Sequence, residues 1–203
     1  NSIAREAHER VATVLAEGEG DFFCIETMFS AKEAAIAVDV IRQFNIPVAV
    51  NLTYKYTKDR KTGQVIYKTD WGNSADDLLG ILSSGELSGG VDLLDSVHLL
   101  GLNCGAESRR DEHTGMPYAI NGLQQLKDAM DERGITSKKM MTHPNAGKAQ
   151  LDKNHNTYYA QTPDDMAAYL PELLEVGAYI IGGCCGTGPS HIRAFRDILD
   201  GRA

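Results

Sequence analysis

Hydrophobic positions along the chain follow two alternating rhythms. Short, nearly continuous apolar runs recur at 21–27, 47–53, 96–102, 139–142 and 178–182. Between them, apolar residues are spaced three and four apart. Short apolar runs bounded by turn residues predict buried strands, and the 3.6-residue period predicts helices. A first helix is expected within the opening 17 residues, with Ala7, Val11, Val14 and Leu15 on one face. Ser30 and Glu33 have capping-box spacing and open a second, whose apolar face holds Ile36, Val40, Ile41 and Phe44. Ser74 and Asp77 start a third, turning Leu78, Leu79 and Leu82 inward. Leu123, Leu126 and Met130 mark a fourth, which Gly134 ends. Thr162 before Pro163 places a cap before a first-turn proline and predicts one helix burying Met166, Leu170, Leu173 and Leu174. The last follows Pro189, with Ile192, Phe195, Ile198 and Leu199 on one face.

Three stretches carry neither rhythm. Residues 54–73 read as a polar loop with a small hairpin whose tip lies near 61–63. Residues 105–119 and the stretch from His143 to Gln161 read as polar loops. The resulting order is a helix followed by five strand–helix units. Such alternation argues for parallel strands joined by helical crossovers. The 203 residues suit a single domain spanning 1–203, without internal linker or low-complexity segment.

Composition narrows the function. Lys plus Arg number 20 against 28 Asp plus Glu, a net charge of -8. An acidic chain is poorly suited to neutralising phosphates, so no nucleic-acid partner is expected. No apolar run approaches the roughly 18 residues of a membrane span, and no basic start precedes an apolar core, so neither a membrane partner nor a signal peptide is expected. Four cysteines, two of them adjacent, are too few for a disulfide scaffold. They fit metal binding or catalysis in a reducing, cytoplasmic compartment.

The reactive residues fall just after the strands. Glu26 ends the first, Asn103 and Cys104 end the third, Asn145 follows the fourth, and Cys184 and Cys185 follow the fifth. In parallel α/β folds the site forms at the carboxyl ends of the strands. Three thiols on one rim suggest a metal. Cys104 lies 80 residues before the adjacent pair, unlike the paired knuckles of zinc fingers. Three protein ligands leave the fourth tetrahedral position open, as in catalytic zinc sites, although iron–sulfur chemistry also uses thiolates. The competing readings are a tight turn with incidental thiols, or a vicinal disulfide at Cys184–Cys185. Cys24, mid-strand beside Phe22 and Phe23, reads as a small buried hydrophobe. His113, His143, His155 and His191 read as solvated or capping residues, with His143 notable for preceding Pro144-Asn145 on the rim. The Lys and Arg residues at 55–61 read as a solvated loop or as a docking surface for another domain. Asp76, Asp77, Asp164 and Asp165 fit helix N-termini.

Gly101-Leu-Asn-Cys104 and Gly182-Gly-Cys-Cys-Gly-Thr187 together resemble the two zinc motifs of the homocysteine S-methyltransferase family. Pro144-Asn-Ala-Gly147, and Ile25-Glu-Thr27 followed by Glu33-Ala34, are similar to two further family motifs. The likeness spans essentially the whole chain and leans toward the homocysteine-binding module of cobalamin-dependent methionine synthase. It implies a (β/α)8 TIM barrel with zinc held by Cys104, Cys184 and Cys185, where the bound thiol becomes a nucleophilic thiolate. It also implies that Glu26 holds the homocysteine amino group, with Thr27 beside it in substrate binding. Asn145 matches an asparagine near the metal, and Asn103 orients the loop carrying Cys104. The activity implied is methyl transfer to homocysteine to give methionine. The resemblance leaves the methyl donor open among methylcobalamin, betaine and S-methylmethionine; a methylcorrinoid or folate donor would be carried by another domain or protein.

The chain also departs from that pattern. A closed barrel has eight strands, whereas the apolar rhythm here gives about five C-terminal βα units of an incomplete barrel. The Asp-Gly pair of the family's first strand has no match. Either an N-terminal portion outside these 203 residues or another chain is therefore expected to complete the barrel, and this fragment alone is expected to be inactive. Two readings from other classes compete: a non-catalytic zinc-binding fragment or subunit, and a thiol–disulfide protein using Cys184 and Cys185.

Overall fold

A computed structural model describes residues 2–18, 20–105 and 110–202. Its centre is a parallel five-stranded sheet of β1 (Phe23–Met28), β2 (Val48–Leu52), β5 (Leu99–Cys104), β6 (Lys139–Pro144) and β9 (Ala178–Ile181), side by side in that order. All four pairings are parallel. Helices α1 (Ser2–Glu17), α2 (Ala31–Ile41), α3 (Ala75–Ser83), α4 (Gly115–Glu132), α5 (Pro163–Ala167), α6 (Leu170–Val176) and α7 (Pro189–Leu199) alternate with the strands. Two antiparallel hairpins, β3 (Lys55–Lys58) with β4 (Val65–Lys68) and β7 (Ala149–Leu151) with β8 (Thr157–Tyr159), are inserted in the loops after β2 and β6.

Strand periodicity divides the sheet into two faces. Ile25, Val48, Val50, Leu52, Leu100 and Leu102 join the helices in the main core. Among the described residues, the opposite face holds a small apolar cluster of Ala49, Leu99 and Met141, with Ile180 against it. The same face carries Cys24, Glu26, Asn51, Asn103 and His143, each alternating with a core residue.

Several expectations need correction. Hairpin β7–β8 lies where a polar loop was expected; its strands are short, largely exposed and closed by the Asp152 turn, so they carry no alternation. Helix α4 begins at Gly115, inside the expected 105–119 loop, and Ala106–Arg109 of that loop lie outside the described residues. The single helix expected after Thr162 is two, because Pro171 lacks the N–H to continue the first and sits in the first turn of the second. Cys24 is exposed on the open sheet face rather than buried. On α1 the expected inward residues Val11, Val14 and Leu15 are exposed, and Ala12 is buried instead. On α7 Phe195 is buried while Ile192 and Leu199 are exposed.

Ser30 caps α2 by accepting from Glu33 N, half of the expected box. Ser74 with Asp77 and Thr162 with Asp165 form reciprocal capping boxes. Asp76, in the first turn of α3 as expected, also accepts from Arg133 Nε at 2.6 Å.

One charged cluster ties α1 to α2. Asp39, at the inner end of the pair, accepts from Arg5 Nη1 at 2.6 Å and from Arg42 Nε at 2.8 Å. Arg5 also donates to the Leu87 carbonyl at 3.1 Å. Burial alone would raise the Asp39 carboxyl, but the bonds from Arg42 and Arg5 outweigh it and hold the group below its ordinary 3.8. A depressed folded-state pKa gives stability that is complete above the ordinary value and is lost as pH falls below it. Asp39→Asn is expected to cost about 1–2 kcal/mol at neutral pH, since both arginines are partly exposed. That cost should fade below pH 3.8, which urea titrations at the two pH values would read.

Candidate metal centre

The rim of the sheet is built from strand ends that leave regular geometry. The β1–β2 register slips between Ile25 and Met28, and Thr27 there has φ 58°. At the end of β5, Cys104 has φ 64°. Residues with a Cβ seldom adopt this left-handed region, and a β-branched residue least of all.

Asn103, 1% exposed, holds both strand ends. Its Oδ1 accepts from Thr27 N at 2.8 Å, and its Nδ2 donates to Thr27 Oγ1 at 2.8 Å. The same Nδ2 lies 3.9 Å from Cys184 Sγ as a donor. Thr53 Oγ1 donates to the Asn103 carbonyl at 3.3 Å and to its Oδ1 at 3.2 Å.

Asn145 joins the other two strand ends. Its backbone N–H donates to the Cys104 carbonyl at 3.0 Å, and its Oδ1 accepts from Cys185 N at 3.1 Å. Cys184 N donates to Pro144 O, and Ala146 N to Cys185 O, each at 2.9 Å. Backbone bonds thus fix the three cysteines relative to one another.

The Cys104, Cys184 and Cys185 sulfurs all lie within 4.8 Å of one another. Cys184 Sγ and Cys185 Sγ are 3.8 Å apart, and every cysteine of the chain is a free thiol. Burial, then the charges of Cys104 and Cys185, pushes the Cys184 thiol up to about 11. Burial raises Cys104 as well, against the lowering effect of its hydrogen bond with Asn145. Three sulfurs this close cannot all ionise without a cation among them. The donor set fits zinc: thiolates are soft ligands, and sulfurs bonded at about 2.3 Å to one tetrahedral ion lie roughly 3.8 Å apart.

A cavity of about 500 Å³ opens beside this cluster, lined among others by Cys104, Cys185, Asn145, Tyr159, Thr53 and Lys55. Tyr159 comes from hairpin β7–β8 and was not anticipated from sequence. Its ring lies against Gly186, at φ 81°, where a Cβ would strike it. Burial, then the neighbouring Cys185, raises the Tyr159 hydroxyl. The only sequence signal for it is an aromatic pair within a polar stretch.

Glu26 lies apart from that cavity, on the open sheet face. Its Oε1 accepts from His143 Nδ1 and from Asn51 Nδ2, the latter at 3.4 Å. The bond from His143 is the main reason the Glu26 carboxyl sits below its ordinary 4.5. His143 is therefore paired rather than solvated. His191 caps α7, accepting from Gly188 N at 3.1 Å, whereas His113 is bonded to the Tyr67 hydroxyl at 2.7 Å.

Comparison with known proteins supplies the context. A model described as homocysteine S-methyltransferase matches residues 2–199. Homocysteine S-methyltransferase 2 of Zea mays is 28% identical over 199 residues, covering 97% of this chain and 49% of that protein. Selenocysteine methyltransferase of Astragalus bisulcatus is 25% identical over 197 residues, covering 96% of this chain and 49% of that protein. The crystal structure of the homocysteine methyltransferase MmuM from Escherichia coli, in its apo form, is similar with a TM-score of 0.60 at 20% identity. That likeness covers 98% of this chain and 58% of the MmuM chain. The chain spans about half the length of the relatives it matches.

Proposed function

The chain belongs to the homocysteine S-methyltransferase family, and from that premise we propose that it is the zinc-bearing C-terminal part of a (β/α)8 barrel that transfers a methyl group to homocysteine, giving methionine. The observation that carries this reading is the convergence of three thiols from distant strands within 4.8 Å. Cys104, Cys184 and Cys185 would hold the metal. Zinc held by these three residues would supply the charge that lets an incoming thiol ionise at neutral pH.

The chain's own residues then divide the work. Asn103 aims Cys184 and locks Thr27, while Asn145 braces the Cys104 and Cys185 turns. Glu26, held ionised below the ordinary carboxylate range, would fix the substrate ammonium by a charge-assisted hydrogen bond. Thr27, in the same bulge, would border that amine site. A donor methyl on a corrinoid or folate carried elsewhere would approach through the cavity beside the sulfurs.

The barrel itself is proposed closed by a further chain segment or a partner chain. Among the described residues, β1 and β9 each have one unpaired edge. Exposed apolar side chains lie at both ends of the sheet: Ile3, Val11, Val14 and Leu15 on α1, and Tyr179, Ile192 and Leu199 on β9 and α7. Unpaired parallel edges flanked by apolar surface need a covering partner. Residues 1–203 would form one domain of that barrel, and alone it would not turn over. No helix among the described residues is long and apolar enough to cross a membrane. The free cysteines support a cytoplasmic location.

Two measurements test the reading in the full-length protein. Metal analysis is expected to return one zinc per chain, and Asn103→Ala to weaken zinc binding by roughly 10–100-fold, as loss of a partner that orients a metal ligand does. Glu26→Ala is expected to weaken homocysteine binding while leaving zinc in place. Unchanged homocysteine affinity in that variant would remove Glu26 from the proposed site.

A further inference from the structure

Glu26 and His143 belong to strands that are not neighbours. In the sheet order, β2 and β5 lie between β1 and β6. Two side chains can meet across that span only if the positions between them stay low. Gly101, in register with Asn51 on one side and Met141 on the other, supplies no side chain there. On the far side, Gly182 leaves room for the imidazole, since a Cβ at that position would come within 2.6 Å of His143 Cδ2. The sequence thus clears a lane across the open face, and one hydrogen bond spans it.

We propose that His143 is a positioning residue for homocysteine recognition, holding the Glu26 carboxylate in the orientation that receives the substrate ammonium. This rests on the reading of Glu26 as the amine-binding group. Against a carboxylate acceptor, Nδ1 of His143 carries the proton and donates. His143 and Asn51 both bond the same oxygen, Oε1, and neither bonds Oε2. Asn51 is fully buried and cannot follow a moving carboxylate. Its amide bond to Oε1, at 3.4 Å, is long, so the imidazole is the stronger tether. Glu26 is itself 37% exposed along its side chain, and without a tether it would sample several rotamers. The Cys24 thiol, pushed up to about 12 by desolvation and then by Glu26, stays neutral and adds a thiol hydrogen bond to Glu26 that is weaker than the one from His143.

The test uses the zinc-loaded full-length protein and two probes: homocysteine, and 4-mercaptobutyrate, which keeps the thiol and carboxylate but lacks the amine. His143→Phe is expected to weaken homocysteine binding about tenfold, the loss of one charge-assisted hydrogen bond. Binding of 4-mercaptobutyrate and zinc content should not change. His143→Asn, whose Nδ2 stands where the imidazole Nδ1 stood, should recover most of the homocysteine affinity. An equal loss for both probes, or an unaltered homocysteine affinity in His143→Phe, would overturn the proposal. If His143→Phe does not fold, His143→Leu carries the same comparison. Glu26→Gln separates the two levels. If it leaves homocysteine binding intact, the amine-site reading itself is wrong. If it weakens homocysteine alone while His143→Phe does not, only the role of His143 falls.

Discussion

Cys184→Ser is expected to leave the full-length protein without zinc and without methyl transfer. The loss of metal affinity should exceed the roughly 10–100-fold that removal of a supporting residue causes, because a ligand itself is gone. Cys184 sits at the centre of the arrangement: its sulfur is 3.8 Å from Cys185 Sγ and receives the Asn103 amide at 3.9 Å. Serine differs from cysteine by one atom and keeps a small polar side chain on this partly exposed turn, so the fold should survive. Its hydroxyl does not ionise as a thiol does, and two thiolates make a poor cage for a soft divalent ion. Metal analysis after dialysis, paired with a turnover assay, checks both halves. Turnover in a zinc-free Cys184→Ser protein would refute the assignment of the metal centre.

The second large effect is expected at Gly101. Its Cα lies between Asn51 of β2 and Met141 of β6. A Cβ there would run into the Met141 carbonyl oxygen and come within 2.5 Å of Asn51 Oδ1. A backbone oxygen in a paired strand cannot step aside as a side chain can. Gly101→Ala must therefore part β5 from β6, at the upper end of the ~1–3 kcal/mol typical of overpacking. For a chain of this size that is a drop in Tm of roughly 6–12 °C. The lesion also lies two residues before Asn103, so zinc affinity should fall with stability. Thermal melts of the parent and the alanine variant provide the check; an unchanged Tm would show that the strands accommodate the methyl group.

Much of this architecture was legible in local pattern. The five central strands are apolar runs bounded by turn residues, and Ser74, Asp77, Thr162 and Asp165 announce helix starts through chemistry confined to three residues. The three cysteines could be placed on one rim because each follows a strand. What sequence hid depends on tertiary context. Hairpin β7–β8 has exposed strands of three residues each, too short for a period. The α1 stripe was visible, but a stripe does not say which partner covers it, and none does among the described residues. The Glu26–His143 bond spans 117 positions and requires both the strand order and glycines at 101 and 182. Neither requirement has a local signature.

The left-handed backbone at Thr27 and Cys104 has one more consequence. Each non-glycine residue in that region costs about 1–2 kcal/mol, and the Asn103 side chain holds Thr27 there. Releasing Asn103 frees that stored cost while taking from the Thr53 hydroxyl one of its two acceptors, the backbone carbonyl remaining, and the two changes pull heat resistance in opposite directions. Substitutions at Asn103 should therefore shift the melting point far less than they impair the centre, so a screen for thermal tolerance alone would pass variants that have lost their chemistry.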